Sequence, residues 1–334
     1  MSPVTANFFW HGAPPSLYEK ACLLSFARNG FDVRVHSFDA LELPAGATRV
    51  DANAVARPEE IEQRTQMGIR GCLSSFSNIF RYRLLSRAGG WWFDADVFCL
   101  ADSRRFRELQ KHSRGILVGY ETEAQINGAV IYASDPGIPA ELERLAVAKG
   151  DDLEWGEIGP HLITQYHREH PDRVTVLPPP VFYPVPFHQI DSLWDPDARS
   201  RCEDAAAASL CVHLINELRR RRNIPKDIMP PSGSYLESLF SSVGMTTSPE
   251  ARLPLDFVRL PAKVASLIED NDRLRRENAR LGQDNDRLRQ RIQRTLSCGT
   301  WRVGSALRTL ARPLLALRKR GRSRRRPAAR QLER

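Results

Sequence analysis

The chain has 334 residues, 42% of them apolar, enough for one large or two ordinary domains with a substantial core. No apolar run reaches about 18 residues and the N-terminus shows neither a basic nor an apolar leader region, so a secreted or membrane-spanning protein is not expected. The net charge of +9 belongs to the end of the chain: residues 299–334 hold 12 of the 49 basic and one of the 40 acidic residues, leaving 37 and 39 in the rest.

Residues 4–10 (VTANFFW) read as a first strand closed by His11-Gly12 and Pro14-Pro15. Residues 16–29 follow as an amphipathic helix stopped at Gly30, and residues 31–38 (FDVRVHSF) alternate as a second strand. Strand, short helix, strand at this spacing predicts a βαβ unit with a parallel sheet, whose ligands lie beyond the carboxyl ends of the strands, at His11-Gly12. Residues 39–57 read as loop and 58–66 as a short helix.

Residues 74–100 (SSFSNIFRYRLLSRAGGWWFDADVFCL) organise the rest. Leu73, Phe76, Phe80 and Leu84 form a helical stripe expected to face a sheet, while Asn78 and Arg81 share another face one turn apart. Gly89-Gly90 stops the helix, because Gly accepts positive φ. Trp91-Trp92-Phe93 then reads as a buried strand ending in Asp94-Ala95-Asp96. In an extended segment residues i and i+2 point the same way, so both carboxylates are expected on one side of the strand end. Paired hard oxygens there suit a divalent cation that is also holding phosphates. The chain has three further Asp-x-Asp triples, at 195–197, 270–272 and 284–286, but only Asp94-Ala95-Asp96 follows a helix, a Gly-Gly break and an aromatic strand.

Residues 97–100 and 115–120 read as further strands. Residues 125–133 (QINGAVIYA) read as a polar turn at Asn127-Gly128 running into an apolar strand, and Pro136 opens a helix over 138–149. Gly159-Pro160 starts another helix, 174–177 is a short strand, and the Pro-rich aromatic stretch to Phe187 is ordered loop. In 210–216 (LCVHLIN) His213 sits amid apolar residues. It is either a core imidazole bonded to backbone or a metal ligand. Arg219 to Arg222 read as a solvated helix end or a contact for a diphosphate. Helix 234–243 closes the globular part. The six Cys lack CxxC or zinc-finger spacing and read as reduced, mostly buried thiols.

The remainder is a separate region. Val264, Asn271, Asn278, Asn285 and Ile292 fall seven apart, with Leu267, Leu274, Leu281 and Leu288 three positions on: an a/d heptad, in which DNDRLR at 270–275 returns at 284–289. Asn at a positions favours a parallel homodimer in fixed register. Trp301, Leu307, Leu310, Leu314, Leu315 and Leu317 lie among Arg residues, as in a helix at an anionic membrane surface, kinked at Pro313. From Arg318 the Arg-rich end reads as disordered. The expected division is a domain over 1–245, a linker over 246–262, a coiled coil over 263–297 and a basic amphipathic tail over 298–334.

Asn78-x-x-Arg81, Leu85, Gly89-Gly90 and Asp94-x-Asp96 in one frame resemble the DXD sugar-binding region of bacterial and fungal glycosyltransferases of the family 32 type, which includes enzymes of capsular and surface polysaccharide synthesis. The resemblance covers roughly residues 4–216, taking in Asn127-Gly128, Gly159-Pro160 and a late "His-Leu-Trp-Asn" element in which Ile215 replaces Trp. It implies an α/β fold of GT-A type, with a Rossmann-like mixed sheet and here a C-terminal coiled-coil helix. It also implies a metal-dependent, retaining hexosyltransferase that moves a sugar from a nucleotide-sugar donor, UDP-linked by preference, to a glycan or lipid-linked acceptor. Mn²⁺ or Mg²⁺ is the implied cofactor, with Asp96 and His213 as metal ligands. Asp94 binds the ribose or the metal through water. Asn78 and Arg81 hold sugar hydroxyls or phosphate, Asn127 faces the donor sugar, and Trp10 with His11 lies beside the base. Read from the residues alone, Trp10 is equally a core indole. Asp94, Asp96 and Asn127 form the implied catalytic set.

The competing reading is a dimeric coiled-coil scaffold, or a nucleic-acid or membrane binder, with an inert globular part. Its basic block follows the zipper, whereas basic-zipper proteins place it before, so nucleic acid is not the expected partner. The expected location is the cytoplasm, peripheral on the inner face of the bacterial inner membrane.

Overall fold

The structure is a computed structural model that describes residues 3–221, 224–246, 252–297, 299 and 302–312. It divides into two compact units, 1–261 and 262–334.

The first unit opens with β1 (Val4–Phe9), α1 (Leu17–Arg28), β2 (Phe31–Ser37) and β3 (Ala47–Asp51). The central segment holds α2 (Glu59–Gln63), β4 (Thr65–Gln66), β5 (Ile69–Arg70), α3 (Leu73–Ala88), β6 (Gly90–Phe93), β7 (Val97–Cys99) and α4 (Ser103–Gln110). There follow β8 (Ile116–Thr122), β9 (Gln125–Ala133), α5 (Gly137–Ala148), β10 (Asp152–Leu153), α6 (Pro160–Glu169) and β11 (Val174–Leu177). The described chain ends in α7 (Arg199–Ala206), β12 (Cys211–His213), α8 (Asn216–Arg221), α9 (Tyr235–Ser242) and α10 (Leu255–Ser297). Among the described residues no helix is long and apolar enough to cross a membrane.

The seven-stranded sheet runs β11-β8-β9-β6-β1-β2-β3. β6, β1, β2 and β3 are parallel neighbours, whereas β9 runs antiparallel to both β6 and β8, giving the expected mixed α/β sheet. The carboxyl ends of β1, β2, β6 and β8 therefore share one edge with the amino end of β9. His11, Asp39, Asp94, Glu121 and Asn127 all fall on that edge for this reason.

Strand alternation builds the core. Trp91 and Phe93 enter one layer with Phe8, Phe26 and Phe106, while Trp92 enters the opposite layer with Phe80 and Phe9. The ring pairs pack at centroid distances of 4.4 Å (Phe26–Phe93) to 6.2 Å (Phe80–Trp92), each contributing about 0.5–1.5 kcal/mol beyond burial. A continuous Trp-Trp-Phe run is what a strand buried on both faces requires.

Several expectations are corrected. β3 lies in the stretch read as loop; its mostly exposed ATRVD lacks the buried alternation that marks a strand in sequence. Asn127-Gly128 is not a turn but lies inside the nine-residue β9, where Asn127 pairs antiparallel with Gly119 of β8. Leu73 does not face the sheet; it is 42% exposed, while Phe76, Phe80 and Leu84 are buried. Arg219 is not solvated: it is 1% exposed, its guanidinium carbon 4.2 Å from the Tyr18 ring centre. Arg222 lies outside the described residues. Of the stretch expected as linker, 247–251 lie outside the described residues, while Leu253 and Val258 are buried with α9 and Arg259 bonds Asp195 and Asp197 at 2.6 Å each.

In the second unit α10 continues to Ser297 and residues 302–312 are helical. Leu267, Leu274, Leu281 and Leu288 lie exposed along it. Cys298, Trp301 and the Pro313 to Arg334 segment, on which the membrane tail was expected, lie outside the described residues.

Candidate metal and nucleotide-sugar site

The shared sheet edge borders a cavity of about 410 Å³. Trp10 and His11, following β1, lie on its wall, as do Asn78 and Arg81 from α3, Asp94 and Asp96 after β6, Asn127 and Gly128 from β9, and His213 from β12. The residues of the implied catalytic, donor-binding and metal sets thus line one cavity, whereas Arg219 does not.

Asp94 and Asp96 reach it by a different route from the one expected. The strand ends at Phe93, and Asp94 to Val97 form a tight turn closed by the Val97 N–H to the Asp94 carbonyl at 3.0 Å. The Asp94 carboxylate takes the Trp92 indole N–H at 2.8 Å and pairs with the Arg81 guanidinium at 3.0 Å. Asp96 faces His213, Nε2 to Oδ1 at 3.3 Å, and its other oxygen accepts the Asn216 main-chain N–H at 2.7 Å. β12 pairs antiparallel with β7, opposing His213 to Val97, and this places an imidazole from residue 213 against a carboxylate at 96.

The electrostatics split the two carboxylates. Burial pushes the Asp94 pKa up, and the neighbouring Asp96 charge adds to this against the pull of Arg81. Burial also opposes the charge on Asp96, but the His213 charge and hydrogen bond with the Asn216 N–H outweigh it, and its pKa falls well below the usual carboxylate range. His213 is disfavoured by burial yet raised overall, chiefly by Asp96.

One ligand atom from each of Asp94, Asp96 and His213 lies within 4.8 Å of the others. Two carboxylate oxygens and an imidazole nitrogen are a donor set for Mn²⁺ or Mg²⁺, and His213 Nδ1 is buried with no hydrogen-bond partner among the described residues. The residues present fit a divalent cation.

Arg81 is more committed than the sequence suggests. Besides Asp94 it bonds the Gly128 and Ser77 carbonyls, and its guanidinium lies 5.2 Å from the Trp92 ring centre. Asn78 donates to the Ser74 carbonyl at 3.0 Å and lies against Gly159. The Asn127 side-chain oxygen accepts the Ala129 N–H at 2.7 Å. Trp10 is half-buried, donates to the Ala13 carbonyl at 2.7 Å, and has Lys226 Nζ 5.7 Å from its ring centre. The Trp10 ring packs on the core and also lines the cavity. His11 pairs with Asp39 at 2.8 Å.

Sequence reasoning missed several lining residues. Glu121, half-buried at the end of β8, carries no signal that separates it from a solvated strand-end acid. Trp155, 44% exposed, comes from a turn and Phe187, 41% exposed, from the start of a short 3-10 helix, where apolar periodicity gives no signal. Ile215 adopts φ 49°, unusual for a β-branched side chain, so that the Leu214 and Asn216 N–H groups both converge on Asp96.

Residues 146–243 match the family described as Alpha 1,4-glycosyltransferase conserved region. That segment holds Gly159, Pro160 and His213, and the match supports glycosyl transfer as the chemistry of the chain. No curated protein matches the chain in sequence. Among solved structures, mouse xyloside xylosyltransferase 1 (apo form) is 13% identical with a TM-score of 0.37, covering 54% of this chain and 87% of its own. The bifunctional glycosyltransferase WbbM is 12% identical with a TM-score of 0.42, covering 75% of this chain and 51% of its own. Apo GlyE of Streptococcus pneumoniae TIGR4 is 12% identical with a TM-score of 0.38, covering 74% and 61%. The chain thus spans about half of WbbM and under two thirds of GlyE.

Proposed function

We propose that the chain is a divalent-metal-dependent glycosyltransferase of GT-A type, taking a nucleotide-sugar, UDP-linked by preference, and passing its sugar to a hydroxyl of a surface glycan or lipid-linked acceptor. The observation that carries this is the convergence of Asp94, Asp96 and His213 on one cavity between Trp10 and Asn127.

In the reaction the bond between the anomeric carbon and the diphosphate oxygen breaks, and a new one forms to the acceptor oxygen. Asp94, Asp96 and His213 hold Mn²⁺ or Mg²⁺, which supplies charge stabilisation for the departing diphosphate. Arg81 fixes the Asp94 carboxylate, and Asn78 and Asn127 face the sugar from either side. Trp10 and His11 lie on the nucleotide side, one strand over from β6. Retention at the anomeric carbon is the course that the resemblance to family 32 enzymes implies, with the acceptor proton passing to the departing phosphate oxygen. The leucine stripe of α10 supports a parallel homodimer, and the composition of 298–334 supports attachment to the cytoplasmic face of a bacterial inner membrane.

The test is release of UDP or GDP from a panel of nucleotide-sugars, with Mn²⁺ and with chelator. Metal-dependent release from one donor is the expected result. Silence across the panel, together with no calorimetric binding of UDP in Mn²⁺, would refute the proposal.

A further inference from the structure

We infer that Glu19 is the positioning residue of the cavity: one buried carboxylate that fixes the Asp96 end and the Trp10 end through separate hydrogen bonds. This rests on the metal and nucleotide reading of the cavity given above.

Glu19 lies in the first turn of α1 and is fully buried. Its Oε2 serves a local purpose, accepting the Ser16 N–H at 2.9 Å and the Ser16 hydroxyl in a capping box. The local cap accounts for nothing on Oε1. That oxygen accepts the Asn216 side-chain N–H at 2.7 Å and the Lys226 ammonium at 2.8 Å, partners 197 and 207 residues away in sequence.

Each partner continues into the cavity. Asn216 gives its main-chain N–H to Asp96 Oδ2 at 2.7 Å, and its side-chain oxygen accepts from Arg219 at 2.6 Å. Both functional ends of the Asn216 side chain are thus fixed, and with them the direction of the N–H that holds Asp96. Lys226 stands over the Trp10 ring at 5.7 Å, within cation–π range, and so sets the indole on the nucleotide side. The Glu19 carboxylate is buried, which makes its hydrogen bonds strong and directional, while the Lys226 side chain stays 34% exposed. Groups that hydrogen-bond a metal ligand from behind typically change metal affinity about 10–100-fold when removed; Glu19 acts on Asp96 through Asn216, one bond further back.

The experiment is calorimetry on the full chain, titrating Mn²⁺ alone and then UDP into Mn²⁺-saturated protein, for the wild type, Glu19→Gln, Asn216→Ala and Lys226→Met. Glu19→Gln is expected to weaken both ligands, Mn²⁺ by about 10–100-fold. Asn216→Ala, which keeps the main-chain N–H and loses only the tether, weakens Mn²⁺. Lys226→Met leaves Mn²⁺ unchanged and weakens UDP by about tenfold. The last two variants decide the two arms even where Glu19→Gln fails to fold. Wild-type Mn²⁺ affinity in Asn216→Ala, or wild-type UDP affinity in Lys226→Met, overturns the inference. A wild-type protein that binds neither ligand brings down the reading of the cavity itself, an outcome visible before any variant is compared.

Discussion

Asp94 and Asp96 stand two residues apart and their pKa values are pushed in opposite directions: at Asp96 an imidazole and a backbone N–H outweigh burial, while at Asp94 burial and the Asp96 charge outweigh the Arg81 guanidinium and the Trp92 N–H. Asp96→Asn keeps an acceptor for the Asn216 N–H, so the fold is expected to survive. Metal-dependent donor hydrolysis is expected to fall by about 100-fold or more; unchanged release of UDP, with unchanged circular dichroism, would remove Asp96 from the site. His36 is a second residue-scale case. Burial, with the Arg34 charge adding to it, lowers its pKa from 6.5 to about 4, and its ring bonds Asn7 at 3.1 Å. Between those values the unfolded chain binds a proton that the native protein refuses. His36 therefore contributes stability in full above pH 6.5, and this is lost as pH falls toward 4, about 3 kcal/mol in all. Denaturation of the wild type and His36→Gln at pH 7.5, 5.5 and 4.5 checks this: the variant should show the shallower decline, and equal slopes would contradict it.

At the scale of elements, the site depends on a helix start and a strand pair meeting side chains of α3. A Cβ at Gly159, just before α6, would sit 2.9 Å from Asn78 Oδ1. The clash is with a movable side-chain end, so Gly159→Ala is expected to shift Tm by little while weakening UDP-sugar binding several-fold, read by calorimetry. A large loss of Tm with unaltered binding would place the strain in the backbone instead. Gly89 shows the opposite situation. It ends α3 at φ 63°, and a Cβ there would meet the Ala133 carbonyl oxygen at 2.8 Å, so only glycine lets the chain pass from α3 into β6. Glu121 lies near the end of β8, across β9 from β6 and β1, and the proposed function leaves that side of the cavity to an acceptor. Glu121→Gln is expected to slow transfer to acceptor by about tenfold with UDP affinity unchanged, as loss of a charged hydrogen bond would do. An equal loss of UDP affinity would move Glu121 to the donor.

At the scale of the whole molecule, the two units have separate reasons to be stable. The first buries three connected aromatic and aliphatic clusters; the second exposes its leucine stripe along a single helix. An isolated helix gains little from propensity alone, and its stripe calls for a partner helix. Removing residues 262–334 is expected to leave a folded monomer that still binds UDP with Mn²⁺, against a dimeric full chain, both read by light scattering. A dimer that persists after truncation would place the interface in the first unit.

Periodicity and local chemistry made much of this legible. The βαβ opening, the α3 stripe at Phe76, Phe80 and Leu84, the Gly89 stop and the heptads of α10 each follow from rules that act over a few residues, where sequence is sufficient. The motif around Asn78, Arg81 and Asp94 falls on the wall of one cavity. Its geometry was another matter. Asp94 and Asp96 meet through a turn, β9 stays extended at Asn127 where it pairs with Gly119 of β8, and β3 exists because β2 offers it an edge. Glu19 closes a local cap with Ser16 and becomes a hub only when residues 216 and 226 arrive beside it. Local propensity sets which elements form; which buried groups share hydrogen bonds depends on pairings some hundred to two hundred residues apart, and only the tertiary structure decides those.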